Sequence, residues 1–265
     1  MALMTKLPAL FISHGSPNLI LHDSPARTFL AGLGKSLPRP EAILVMSAHF
    51  ETDRPFVVAN EKPDMIYDFS GFERELYQMR YEAPGAIPLA IEAANLARAA
   101  GIEAQAATGR GFDHGTWVPL MLMYPEAEIP VAQISVQPHL SGAHHAALGR
   151  ALAPLRERGV LLLGSGSLTH NLHAYFRGNY PKDAAAPDWV RDFDEWVLER
   201  AQAGDLDAIS HYDSAGPFAR ENHPSPEHFL PFPFAFGAGG EGARGERIHT
   251  SSQSGVLMLD AYRFQ

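Results

Sequence analysis

Six short apolar runs, each closed by a polar or glycine-bearing turn, constrain this chain more than any other feature. They are Ala9 to Ile12, Ala42 to Met46, Phe56 to Ala59, Val131 to Ile134, Val160 to Leu163 and Val256 to Leu259. Runs this short and this uniformly apolar read as strands buried on both faces. Between them lie stretches of helical period: Ile87 to Ala100, opened by Pro88, His144 to Arg158, and Pro187 to Ala203 with Trp189, Phe193, Trp196 and Val197 on one stripe. Strand and helix therefore alternate, which predicts a parallel or mixed sheet with helices on both faces. Folds of that kind place ligands beyond the carboxyl ends of their strands.

The 21 prolines are scattered rather than gathered in a linker, and no internal repeat interrupts the pattern, so residues 1–265 are expected to form a single domain. Lys and Arg total 21 against 30 Asp and Glu, and the resulting charge of -9 argues against nucleic acid or an anionic membrane as partner. Residues Met1 to Leu10 carry one lysine and a short apolar run broken by Pro8, too little for a secretory leader or an anchor, so a cytoplasmic location is expected. Cysteine is absent. A tightly held transition metal would have to use imidazole and carboxylate ligands, which turns attention to the histidines.

Three of them follow strand-like runs. His14 sits in Ser13-His14-Gly15-Ser16-Pro17, His49 in Ser47-Ala48-His49-Phe50, and His170 lies beyond Val160 to Leu163 through Gly164-Ser165-Gly166-Ser167. A turn histidine can also simply cap a backbone group, but the repetition of strand then histidine favours a shared site. Gly111-Phe112-Asp113-His114-Gly115 sets a carboxylate beside a histidine; Asp113 serves a proton relay or caps the segment Thr116 to Tyr124, whose Trp117, Leu120, Met121 and Tyr124 form a core-facing stripe. The glycines of Gly164-Ser165-Gly166-Ser167-Leu168-Thr169-His170-Asn171 are read as opening space near a metal, with His170 as acid or base; a turn with Thr169 as N-cap is the plainer reading. A nucleophilic serine is disfavoured, because the G-x-S-x-G register is missing. Finally, Glu221 to Pro231 reads as an extended segment stiffened by prolines and ending in Glu227 and His228, of which only one is expected to reach a metal. His22, His139, His144, His145, His173, His211 and His249 lack a partner motif. No phosphate loop or dinucleotide fingerprint is present, which disfavours nucleotide cofactors.

Taken in order, these motifs resemble the class III extradiol ring-cleavage dioxygenases, in the branch of the 4,5-DOPA dioxygenase type, related to the catalytic subunit of protocatechuate 4,5-dioxygenase. The likeness spans nearly the whole chain and is carried by Pro8 to Pro17, Ser47-Ala48-His49, Tyr67-Asp68-Phe69-Ser70-Gly71-Phe72, Gly111 to Gly115, Thr169-His170-Asn171-Leu172 and Pro226-Glu227-His228-Phe229-Leu230-Pro231. It implies a three-layer α/β/α fold with a mixed, mostly parallel sheet. It also implies His14, His49 and His228 as metal ligands, His170 as acid/base and possible fourth ligand, and His114 as a helper on the substrate side. The wider superfamily uses two histidines and a carboxylate, so Glu227 competes with His228 for the third place.

The reaction so implied is opening of a catechol, DOPA-like or otherwise substituted, by O2 beside its hydroxyl-bearing carbons. It calls for Fe(II); Zn(II), which suits three histidines equally well, would be bound as purified without supporting oxygen chemistry. Two alternatives stand at this point: a zinc-dependent hydrolase of amides or esters, and a metal-binding relative without turnover.

Overall fold

The computed structural model describes residues 6–265. Residues 1–5, half of the N-terminal stretch Met1 to Leu10 considered above, lie outside them. The strands are β1 (Ala9–Ser13), β2 (Ala42–Glu51), β3 (Phe56–Val58), β4 (Gln105–Ala107), β5 (Val131–Val136), β6 (Val160–Gly166), β7 (Gly245–His249), β8 (Ser252–Gln253), β9 (Leu257–Met258) and β10 (Ala261–Phe264). The helices are α1 (Pro25–Ser36), α2 (Ile87–Ala99), α3 (His114–Met123), α4 (Gly142–Leu152), α5 (Leu172–Arg177) and α6 (Asp188–Ala203). They continue with α7 (Leu206–Ser210), α8 (Tyr212–Ala215), α9 (Ala219–Asn222) and α10 (Pro231–Ala238).

Among the described residues one sheet runs in the order β4-β3-β5-β2-β6-β1-β10-β7. Its centre, β5-β2-β6-β1, is parallel throughout, while β10 and β3 attach antiparallel at the two sides. The central strands are the apolar runs of the sequence, and their side chains alternate between two cores. Ala9, Phe11, Leu44, Met46 and Leu162 face one with α2, α4, α6 and α10. Leu10, Ile12, Ile43, Val45, Leu161 and Leu163 face the other with α1 and α3. The molecule is thus a three-layer α/β/α with a mixed sheet, as the pattern of buried strands predicts.

Three elements differ from the sequence reading for identifiable reasons. The helix expected over His144 to Arg158 ends at Leu152 and continues as 3-10 turns over Ala153–Arg158, because Pro154 lacks the N–H an α-helix would need there. Val256 to Leu259 supplies only β9, paired with β8 in a separate two-stranded sheet, and the main sheet takes β10 instead. The segment expected to be extended up to Pro231 turns at Pro226 to Leu230, with the N–H groups of Phe229 and Leu230 both donating to the Pro226 carbonyl. It then enters α10, a wholly buried helix whose Pro231 and Pro233 occupy its first turn, where a missing N–H costs nothing.

Candidate metal centre

The carboxyl ends of the parallel strands gather five imidazoles. His14 directly follows β1, and its N–H donates to the carbonyl of Gly166 at the end of β6 (2.9 Å). His49 lies inside β2, which runs on to Glu51, rather than beyond it, in a stretch where the pairing with β5 shifts register between Met46 and Glu51. β6 separates β1 from β2, so His14 and His49 reach toward each other over the Ser165-Gly166 end of β6. His114 opens α3, and His228 occupies the turn before α10. The ring centres of His14, His49 and His228 lie 5.0, 5.4 and 4.9 Å apart. His114 is 4.0 Å from His49, and His170 stacks on His228 at 3.4 Å. Judged by ligand atoms within 4.8 Å of one another, the group resolves into two adjoining triads, His14-His49-His114 and His170-Glu227-His228.

Close packing of backbone makes this convergence possible. A Cβ on Gly166 would stand 2.1 Å from the His228 carbonyl, and one on Gly164 the same distance from that of Pro231. The two glycines therefore admit the segment that carries His228, rather than opening space around a metal. Similarly, a Cβ on Gly115 would meet Ser47 Oγ at 2.5 Å and His49 Cδ2 at 3.0 Å. Gly15, with φ of +68°, takes the left-handed turn that follows His14.

Hydrogen bonds assign the ring protons. Ser165 Oγ donates to the Gly115 carbonyl and so accepts from His14 Nδ1 (3.0 Å), leaving a lone pair on His14 Nε2. His228 Nδ1 donates to Glu227 Oε1 (2.8 Å), so its Nε2 also carries a lone pair; that atom is buried and has no hydrogen-bond partner among the described residues. His49 Nε2 faces His14 Nε2 at 3.1 Å. Two nitrogens each ~2.1 Å from one cation and roughly 90–110° apart stand ~3.0–3.4 Å from each other, so this spacing and the orphaned His228 nitrogen fit a shared divalent ion. Burial, reinforced by neighbouring histidines, holds His14 and His228 well below the usual imidazole range. It lowers His49 to about 3 and His170 to about 4. Neutral rings are the form that ligates metal.

Around these rings the structure reassigns several side chains. Asp113 occupies the N-cap position of α3, but its buried carboxylate does not cap; it accepts from Ser47 Oγ (2.6 Å), Arg110 (3.0 Å) and Gln133. Thr169 donates to the Val256 carbonyl, and the N-cap of α5 is Asn171, which accepts from the Ala174 N–H (2.8 Å). Glu227 is held by the His228 ring and by Ser225 Oγ (3.0 Å). Asp68, quoted above only within a motif, accepts both the backbone N–H (3.1 Å) and Nδ1–H (2.9 Å) of His114. Desolvation raises its pKa, but those bonds and the charge of nearby imidazoles outweigh it and bring it to about 2. Neither Asp68 nor Ser165 has a local sequence signal, since their partners lie 46 and 151 residues away.

All five histidines line a cleft of ≈ 370 Å³, walled by Phe69, Phe72, Tyr175, Phe176, Leu257 and Leu259. A larger groove, ≈ 780 Å³, runs along Glu61 to Tyr67 and Arg80 to Pro84 and contains none of them. His173, on α5, is exposed and does not line the cleft. Among the described residues no helix is long and apolar enough to cross a membrane.

Residues 8–259 match the family of the catalytic LigB subunit of aromatic ring-opening dioxygenase. A 4,5-DOPA dioxygenase extradiol of Beta vulgaris is 45% identical over 259 residues, covering 96% of this chain and 95% of the relative. The protein of that name from Escherichia coli K12 is 37% identical over 238 residues, with 88% and 86% covered. The crystal structure of an uncharacterized Escherichia coli K12 protein superposes with a TM-score of 0.78 at 32% identity, over 97% of this chain and 99% of the other.

Proposed function

This chain belongs to the family of the catalytic LigB subunit of aromatic ring-opening dioxygenases, and on that premise we propose that His14, His49 and His228 hold its divalent metal. It is an extradiol ring-cleaving dioxygenase that acts on a small molecule and O2. The metal in the active enzyme is Fe(II), with Zn(II) able to occupy the same nitrogens, and the substrate is a catechol of the DOPA type or another substituted catechol. The names of the relatives support that substrate class. Residues 1–265 act as one catalytic domain in the cytoplasm, without nucleic acid or membrane partners, a reading supported by the net charge of -9.

The observation that carries the ligand assignment is the meeting of three Nε2 atoms. Those of His14 and His49 face each other at 3.1 Å, and that of His228 is buried without a partner. His228 is preferred to His114 as the third ligand because its Nε2, unlike that of His114, is a buried nitrogen without a hydrogen-bond partner among the described residues. Glu227 is less suited, because its carboxylate already accepts from the His228 ring.

A redox-active ion with open positions supplies the electron path between a catechol and dioxygen, which zinc, fixed in oxidation state, does not. The remaining work belongs to the protein. Phe69, Phe72, Leu257 and Leu259 sandwich the aromatic ring and exclude water. His170, neutral at physiological pH, takes a hydroxyl proton from the catechol on a ring nitrogen. His114 keeps its own proton on Nδ1 against Asp68, so Nε2 accepts a hydrogen bond from the second hydroxyl. Once protonated there, His114 becomes a donor to developing negative charge on oxygen.

Anaerobic reconstitution with Fe(II), followed by oxygen-electrode assays over a panel of catechols that includes DOPA, tests this reading. Uptake is expected with Fe(II) and none with Zn(II) alone. His14→Ala and His49→Ala are expected to lose the metal by elemental analysis; full occupancy in either would remove that residue from the ligand set.

A further inference from the structure

Asp68 lies in the loop between β3 and α2, and its two carboxylate oxygens are divided between two imidazoles. Oδ1 accepts both the backbone N–H (3.1 Å) and the Nδ1–H (2.9 Å) of His114. Oδ2 lies 3.6 Å from Nδ1 of His49, beyond hydrogen-bond length but near enough for the carboxylate's charge to favour an N–H dipole at that nitrogen over a lone pair. A neutral imidazole carries one proton, so an anion that holds it on Nδ1 leaves the lone pair on Nε2. At His49, Nε2 is the atom facing His14. The competing arrangement, His49 donating from Nε2 to His14, would use up the electron pair a metal requires.

We infer that Asp68 is a positioning residue that sets the Nδ1–H tautomer of both His49 and His114. It thereby keeps His49 ready as a ligand and His114 ready as an acceptor. The part concerning metal rests on the proposed ligand set. Each proposed ligand then has its own tautomer-setting partner: Ser165 for His14, Glu227 for His228 and Asp68 for His49. Asp68 alone serves two rings at once.

Asparagine at this position reverses the instruction to His49. Its Oδ1 is committed to the two N–H groups of His114, so its amide hydrogens must face His49 Nδ1. That nitrogen becomes the acceptor, and the ring proton moves to Nε2. Alanine gives no instruction, and His49 is left to distribute its proton.

The test uses the full-length metal-free protein in three forms, wild type, Asp68→Asn and Asp68→Ala. Imidazole 15N NMR reads the His49 tautomer, and competition with a chromophoric chelator reads zinc affinity. The wild type is expected to carry the His49 proton on Nδ1 and Asp68→Asn on Nε2. Zinc affinity should fall by about 10- to 100-fold in Asp68→Asn and by less in Asp68→Ala. A wild-type His49 protonated on Nε2 overturns the inference. So does an Asp68→Asn zinc affinity within about twofold of wild type, or an equal loss in both variants, which marks a packing role. Should Asp68→Asn fail to fold, Asp68→Ala decides: a His49 proton still held wholly on Nδ1 overturns the inference. If the wild type binds no zinc, the ligand set fails, while the NMR result still judges Asp68.

Discussion

His170 is the residue at which metal holding and proton transfer separate. Its ring lines the cleft, stacks on His228 at 3.4 Å, and is lowered to about 4, chiefly by burial. At neutral pH it is therefore an unprotonated base beside the metal site. Replacing it by alanine removes the proton acceptor and leaves the Nε2 atoms of His14, His49 and His228 where they are. The expected outcome is a loss of kcat of at least about 100-fold. Zinc affinity should stay within about threefold of wild type. Oxygen uptake and zinc titration on the same preparation check it, and an unchanged kcat would deny His170 its part in the chemistry.

At the scale of elements, the site depends on how closely β6 and the turn before α10 approach. Gly166 touches the His228 carbonyl, and the Ser167 N–H donates to that same carbonyl (2.9 Å), so the turn is both admitted and anchored by the end of one strand. Gly166→Ala would force the turn outward. The expected cost is about 1–3 kcal/mol of stability, together with weaker zinc binding because His228 moves with its backbone. Gly32 is the control: it is exposed in α1, and a Cβ there meets nothing within 4 Å. Gly32→Ala should stabilise the helix by about 0.5–1 kcal/mol and leave zinc affinity alone. Denaturant unfolding and zinc titration of the two variants give the comparison.

The whole molecule carries a response to acid that is separable from the metal. His145 is fully buried on α4, accepting the Gln137 N–H on Nε2 (3.1 Å) and donating from Nδ1 to the Ser141 carbonyl (2.9 Å), and burial lowers it from 6.5 to about 3. The folded state thus refuses a proton that the unfolded chain binds below pH 6.5. Its contribution is fully present above 6.5 and declines as the pH falls toward 3, by about 1.4 kcal/mol per pH unit. Asp260 acts in the opposite sense. Raised to about 8 by burial and then by Asp194, it keeps its proton in the folded state between 3.8 and 8, so its contribution shrinks as the pH rises through that window. A comparison of variants isolates the histidine: between pH 6.5 and 4, the unfolding free energy of metal-free His145→Gln should fall less steeply than that of wild type by about 1.4 kcal/mol per unit. Parallel curves would exclude His145 as a source of the slope.

What the sequence determined by itself is local. Uniformly apolar runs such as Val160 to Leu163 read as strands buried on both faces, and their alternation with helical stripes points to a layered α/β molecule. The histidines at the ends of those strands were visible for the same reason, because strand direction alone puts them on one rim. Tertiary structure decided the rest. The insertion of β6 between β1 and β2, the entry of Pro231 and Pro233 into a buried helix, and the division of Asp68 between His49 and His114 all depend on groups distant in the chain. A hydrogen bond between residues 46 or 151 positions apart leaves no periodicity in the sequence, since its partners become neighbours only when the layers pack.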